Sequence, residues 1–255
     1  MRLKLIKEPN CRKILMLQTL RTIFLSKKKL THDVYEFVFL CNEPSRFYFE
    51  RGQYLILMVP KDNDKINRLY SIFDFEESKN SFKIILKIIP GGVGSEYLVN
   101  LKQGERVEFQ GPAGIFTINK NTKDKIFIAT GIGIAPILSM IKESVNKTNS
   151  KFSLFWGLKT KSDIFYLDLL SQIAEKYKNF TFEIFISRED IKDKSIIISN
   201  GHVNIGIDKM LIDSNINKEN LEFYLCGSIA NVDSLRNYLI SKEIKPEDIK
   251  TERFK

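Results

Sequence analysis

Residues 126–141 read IFIATGIGIAPILSMI, and this stretch sets the class of the C-terminal half. An apolar, β-prone run leads into glycines at 131 and 133 and then into an apolar segment of helical spacing, with Pro136 in its first turn. Glycine lets the backbone come close to a ligand. Proline is tolerated early in a helix, where the amides lack internal partners, and those same amides attract an anion such as a pyrophosphate. Strand, glycine turn and helix make a dinucleotide site in outline. The spacing is not GxGxxG, so the motif alone is also compatible with an ordinary tight turn.

Downstream, apolar runs at 152–157, 180–187, 223–227 and 249–254 alternate with helical patterns at 135–145, 162–177 and 230–242. Strands alternating with helices of ten or more residues predict βαβ units, here an α/β domain with a five-stranded parallel sheet. Upstream the pattern changes. Runs at 34–40, 53–60, 68–73, 81–89 and 106–111 are short, β-rich and separated by turn residues, which predicts an antiparallel sheet or barrel over residues 19–118. The α/β domain then covers 119–255, and residues 1–18 are an N-terminal extension with no assigned role. The fold class is α+β with two domains, which suits a chain of 255 residues.

Composition excludes several classes. The chain is 43% hydrophobic and 28% charged, which is globular. Its net charge of +9 is spread along the sequence, with one tight basic run at 27–29, so no nucleic-acid footprint is expected. Cys11, Cys41 and Cys226 lie far apart, so no metal centre or iron–sulfur cluster is expected from them, and their sparse use favours a reducing, cytoplasmic setting. The apolar stretch at 14–17 is too short for a signal core, and no run approaches the ~20 residues of a spanning helix.

Two further motifs carry chemistry. GGVGSEYL at 91–98 follows a strand, and its glycines expose amides while Ser95 is placed to cap a short helix. Arg68-Leu69-Tyr70-Ser71 offers a cation, an aromatic face and a hydroxyl within one strand. Alternation puts Arg68 and Tyr70 on one side, with Leu69 and Ser71 on the other. His32 and His202 fall in turns and are read as incidental, and Trp156, inside an apolar strand, as core.

Taken together, RLYSI (68–72), GGVGSEYL (91–98), GPAGIF (111–116), ATGIGIAP (129–136), FWGLK (155–159), ISRED (186–190), YLCGS (224–228) and TERF (251–254) occur in an order that resembles the ferredoxin–NADP reductase superfamily. The resemblance implies a Greek-key barrel holding FAD. In that reading Arg68, Gly92, Val93, Gly94 and Ser95 serve the flavin pyrophosphate, Tyr70 stacks on the ring, Ser71 lies near its reactive nitrogen, and Leu69, Lys87, Ile89 and Phe254 complete the binding residues. It assigns Thr130, Gly131, Ile132, Pro136, Cys226 and Gly227 to the incoming NADPH or NADH, and Tyr70, Ser71, Cys226 and Glu252 to catalysis. Ser187 and Arg188 follow a strand where a cation and a hydroxyl suit a 2′-phosphate, which favours NADPH, although Arg188 also has Glu189 and Asp190 beside it as ion-pair partners.

The sequence departs from the pattern at Ile229-Ala230-Asn231, which leaves the shape of that turn open, and at its end, Phe254-Lys255. No cysteine-rich ferredoxin module flanks the two halves. The resemblance implies a ferredoxin or flavodoxin reductase. An oxygenase reductase component, a free-flavin reductase and a non-enzymatic basic binding protein are the alternatives.

Overall fold

A computed structural model describes residues 17–61, 64–192, 197–214 and 216–254. Most of the N-terminal extension lies outside this range. Its last residue, Gln18, already belongs to the first strand.

The barrel is closed by six antiparallel strands: β1 (Gln18–Lys29), β2 (Val34–Glu43), β3 (Tyr54–Lys61), β4 (Asp64–Glu76), β5 (Ser81–Lys87) and β6 (Arg106–Ala113). Their order round the barrel is β1-β2-β5-β4-β3-β6, and helix α1 (Val93–Asn100) sits between β5 and β6 in sequence. Alternating residues of these strands point inward, and Phe37, Phe39, Phe82 and Phe109 fill the interior with no exposed surface. Closure removes the unpaired edges that an open antiparallel sheet would present.

The second domain is a parallel sheet in the order β10-β9-β8-β7-β11-β12, comprising β7 (Asp124–Thr130), β8 (Phe152–Leu158), β9 (Phe180–Ile186), β10 (Ile198–Asn200), β11 (Leu221–Ser228) and β12 (Ile249–Phe254). The helices are α2 (Ile134–Ser144), α3 (Leu167–Lys176), α4 (Asn204–Ile212) and α5 (Ile229–Ser241). The five expected strands are present, and the three-residue β10 adds a sixth at one edge. Helices cover both faces of the sheet, so Ile126, Phe127, Ile128 and Ala129 are all buried and β7 reads as a continuous apolar run.

The sequence pattern does not disclose β1, β10 or α4. In β1 the buried positions include the polar Thr22 and the alternate ones mix Arg21 with Ile23 and Leu25, so polarity does not alternate cleanly, and in α4 the hydrophobic residues are not gathered on one face. The single helix expected over 162–177 is two pieces: one 3-10 turn at Lys161–Asp163, then α3 after an extended stretch. Asp163 closes the first piece by accepting from the Thr160 amide, which competes with continuous helix.

The two domains share apolar material. Val34, Phe73, Ile85 and Phe116 of the first half belong to the same buried cluster as Ile137, Leu138, Met140 and Ile141 of α2. Lys142 reaches Asp74 at 2.8 Å across the same seam. No helix among the described residues is long and apolar enough to cross a membrane.

Candidate active site

The two sequence motifs of the barrel meet in space. A Cβ at Gly94, in the first turn of α1, would lie 2.6 Å from the Tyr70 hydroxyl and 2.7 Å from Arg68 Cγ, so only glycine lets β4 and α1 approach this closely. Arg68 and Tyr70 thus share one side of β4, as alternation predicts. The Arg68 guanidinium is exposed and donates to its neighbour Asn67 at 2.8 Å. Burial pushes the Tyr70 phenol up to about 12, against the opposing pull of Arg68, so the ring stays neutral. Leu69 and Ile89 are 58% and 53% exposed.

Ser95 is not the cap of α1. Gly92 holds that position, and Ser95 lies inside the first turn, where its hydroxyl contacts the carbonyls of Ile89 at 3.1 Å and Gly92 at 3.0 Å. The hydroxyl shapes the GG turn from within, while Val93 and its neighbours present the amides of the helix start. Lys87 is held by Asp33 at 2.5 Å.

At the junction of the domains, Ser71 donates to Glu252 at 3.3 Å, joining β4 of the barrel to the last strand of the chain. Glu252 pairs in register with Cys226 on β11, and Tyr54 pairs with Ser71 across β3 and β4. Burial pushes the Glu252 carboxyl up to about 7, against the lowering effect of the Ser71 hydrogen bond. Burial, reinforced by Glu252, also raises the Cys226 thiol and the Tyr54 phenol. The cluster therefore holds one group that exchanges a proton near neutral pH, the carboxyl of Glu252, among groups that stay protonated.

A carboxyl that is harder to ionise in the folded chain than at its ordinary 4.5 stabilises the fold below that pH and loses the contribution as the pH rises through about 7. Glu252→Gln is expected to flatten the fall in thermal midpoint between those limits and to remove the matching limb of the kcat/KM profile. Denaturation and rate curves taken from acid to mildly alkaline pH check this, and an unchanged limb would place the titrating group elsewhere.

The glycine turn lies against Cys226 of this cluster. Gly131, at φ 55°, takes the left-handed conformation with open space where a side chain would stand. Its carbonyl accepts from the Trp156 indole at 2.9 Å, a hydrogen bond that gives the buried tryptophan a role beyond core filling. Ile132 is half-buried, and Pro136 sits buried in the first turn of α2. Thr130 ends β7 against Gly227. Asn231, in the departing turn, donates to Thr130 Oγ1 at 3.3 Å, and Ser228 caps α5 by accepting from the Asn231 amide. Asn231 and Tyr54 are site residues that the sequence reading does not single out. A capping Ser three residues before Asn231 is visible in the sequence, but the residues that Asn231 would face are not.

Ser187 and Arg188 follow β9, and the Arg188 amide donates to Lys159 at 2.8 Å while its side chain is exposed. Glu189 accepts from the Lys161 amide and Asp190 from Asn200, each at 2.8 Å, so both carboxylates are engaged away from Arg188. Phe254 ends β12 opposite Ser228 and packs against the interdomain cluster, half-buried.

A cleft of about 830 Å³ opens elsewhere, between barrel residues 46–51 and the connecting segment 117–122. It lies at the amino-terminal end of the parallel sheet and includes none of the residues above. Ligands in α/β folds are met at the carboxyl ends of the strands, where Thr130, Cys226 and Glu252 are gathered, so chemistry rather than cavity size locates the site.

Residues 22–118 match the oxidoreductase FAD-binding domain family, and residues 127–236 match the oxidoreductase NAD-binding domain family. The chain is 31% identical to ferredoxin–NADP reductase B of Sorangium cellulosum over 163 residues, which is 63% of this chain and 67% of that one. It is 27% identical to the glycine betaine monooxygenase reductase subunit of Pseudomonas aeruginosa over 213 residues, covering 82% of this chain but 57% of the relative's length. The cytochrome P450 reductase GcoB of Amycolatopsis superposes with a TM-score of 0.83 at 22% identity, over 97% of this chain and 73% of that one. Barrel, parallel sheet and matched domains agree, and the chain belongs to the ferredoxin reductase-like superfamily of FAD- and NAD-binding oxidoreductases.

Proposed function

We propose that this chain is a flavoprotein reductase that accepts a hydride from NADPH in preference to NADH and delivers single electrons to a ferredoxin- or flavodoxin-like carrier. The observation that carries the reading is the Ser71–Glu252 contact, which joins the strand that carries Arg68 and Tyr70 to β12, the neighbour of the strand whose Cys226 and Gly227 lie against the glycine turn. The cradle fits a flavin: a glycine where a Cβ would fill the gap, a neutral aromatic ring and an exposed guanidinium. When bound, FAD supplies the conversion between two-electron and one-electron transfer.

The protein's own residues bind, orient and exclude water. In this reading residues 19–118 hold the flavin and 119–255 the nucleotide. Arg68 and the turn at Gly92, Val93, Gly94 and Ser95 hold the pyrophosphate, Tyr70 and Phe254 flank the ring, and Leu69, Lys87 and Ile89 border it. Thr130, Gly131, Ile132, Pro136 and Gly227 receive the nicotinamide dinucleotide. Ser71 and Cys226 shape the mouth, and Glu252 holds a proton there. Cytoplasmic placement belongs to the same reading, supported by the sparse cysteines.

The absorption spectrum of the purified chain with FAD, followed by anaerobic NADPH or NADH, tests the function. A flavin spectrum that bleaches faster with NADPH is the expected result, and a chain that takes up no flavin would sink the reading. Arg188→Ala is expected to raise the KM for NADPH by about tenfold or more, the loss of a charge-assisted hydrogen bond, and to leave that for NADH nearly unchanged. Equal changes would remove the basis for the preference. A second reading, an oxygenase reductase component, is favoured by the oxygenase-linked relative, and rapid reduction of an oxygenase-type partner in place of ferredoxin or flavodoxin would select it.

A further inference from the structure

Tyr166 stands in the left-handed region, at φ 55° and ψ 25°, immediately before α3. Among the described residues, Asn80 and Glu243 are the other non-glycine positions of positive φ. A bulky aromatic residue there is strained by its Cβ, and such strain persists where surrounding contacts over-determine it.

Those contacts run between the domains. The Tyr166 ring lies flat on Phe73 of β4, with centroids 5.1 Å apart and planes at 9°. Its hydroxyl donates to the carboxylate of Glu36 on β2, which is buried and has Lys83 at 3.5 Å. On its other side Tyr166 meets Phe165 edge-on, and Phe165 in turn meets Trp156 at 5.0 Å and 84°. The Trp156 indole donates to the carbonyl of Gly131. A continuous set of packed groups therefore leads from Phe73, two residues beyond Ser71 on the strand that carries Arg68 and Tyr70, to the carbonyl of the glycine turn.

We propose that Tyr166 is a positioning residue, held in a strained backbone conformation so that its ring and hydroxyl set the nucleotide turn at Gly131 in register with the flavin strand β4. It touches neither cofactor. Its effect is on the separation and tilt of nicotinamide against flavin, and misplacement on the ångström scale costs rate steeply. The inference rests on the reductase reading above.

The test is anaerobic stopped-flow reduction of the FAD-loaded full chain by NADPH and by its C4-deuterated form. Three variants are compared with the natural chain. Tyr166→Phe keeps the stacked ring and loses the hydroxyl. Tyr166→Asn suits the left-handed backbone and loses both contacts. Trp156→Phe removes the indole N–H. For Tyr166→Asn the limiting rate should fall about tenfold or more, with the NADPH dissociation constant changed less than about twofold and the long-wavelength absorbance of stacked nicotinamide and flavin weakened. Its thermal midpoint should fall, because the lost ring and hydroxyl contacts outweigh the strain that asparagine relieves, so the rates are compared at a temperature where every variant is fully folded. Tyr166→Phe and Trp156→Phe should fall between it and the natural chain.

Variants with the natural limiting rate, isotope effect and absorbance band overturn the proposal. So does a loss of rate that only tracks a loss of folded protein. Should Tyr166→Asn fail to fold, Tyr166→Phe decides by the same readouts. If the natural chain binds FAD but neither nucleotide reduces it, the reductase reading itself fails and this inference falls with it. If the natural chain is reduced and the variants match it, this inference alone fails.

Discussion

Replacing Gly133 with alanine is expected to lower nucleotide-driven flavin reduction by about 100-fold while the barrel keeps its flavin. A Cβ at this position would lie 2.2 Å from the carbonyl oxygen of Cys226, 2.5 Å from its carbon and 2.9 Å from the amide of Gly227. All three are backbone atoms of β11, hydrogen-bonded into the sheet between β7 and β12, so no flexible side chain can yield. The start of α2 must move instead, and with it the amides of the glycine turn and the helix terminus that would meet the dinucleotide phosphates. Gly94 and Tyr70 lie on the barrel, and flavin binding is left intact. Stopped-flow reduction alongside flavin content checks both halves of this expectation. A variant that keeps its rate would show that the turn does not receive the nucleotide, and loss of flavin would show that the damage is global.

Lys125→Met is expected to destabilise the fold by about 3–5 kcal/mol, because it strands a buried carboxylate. Lys125 and Glu222 are 1% and 2% exposed, and the ammonium meets Glu222 Oε2 at 2.9 Å. Burial works to raise the Glu222 carboxyl, but the bonds from Lys125, Tyr224 and Asn119 outweigh it and hold it below its ordinary range. A carboxyl so lowered stabilises the fold above its unfolded pKa of 4.5, and the contribution is lost as the pH falls through its lower folded value. The damage from Lys125→Met should therefore be large at neutral pH and shrink in acid. In thermal denaturation at neutral pH a fall of roughly 6–20 °C is expected for a chain of this size. Combining Lys125→Met with Glu222→Leu should restore much of the loss, since a matched apolar pair leaves no charge unpaired. A single variant as stable as the natural chain would mean that water reaches the pair.

The same ion pair ties the polar stretch 119–125 to the sheet. The Asn119 amide donates to the Tyr224 hydroxyl at 2.8 Å, its side chain donates to Glu222, and Asn121 accepts from Lys125. In the sequence this polar stretch reads as a boundary between domains. Polarity alone does not distinguish a loose connection from one tied into a buried network, because the partners Glu222 and Tyr224 lie about a hundred residues away in the chain.

Much of the site was legible in short stretches. ATGIGIAP marks a glycine turn before a helix because glycine and proline declare their backbone roles locally, and RLYS with GGVG marks the two motifs that meet on the barrel in the same way. At Ser95 the local signal misleads: a serine after a GG turn looks like a cap, and its position within the first turn of α1 depends on the Ile89 carbonyl folding back to meet it. Tyr166 gave no signal, since nothing in KSDIFYLDLL marks one residue as left-handed. Its conformation follows from the Phe73 ring and the Glu36 carboxylate of the other domain.

Read alone, the chain discloses the class of each half, five of the six strands of the α/β domain and the motifs from which a site is proposed. These follow from periodicity and from backbone preferences that act within a few residues. The tertiary structure decided what those residues do to one another. Ser71 and Glu252, 181 positions apart, become hydrogen-bonded neighbours, and the carboxyl titrates near neutrality only because two domains close over it. Spacing along a chain carries local conformation, whereas burial and charge–charge distance are properties of the packed molecule.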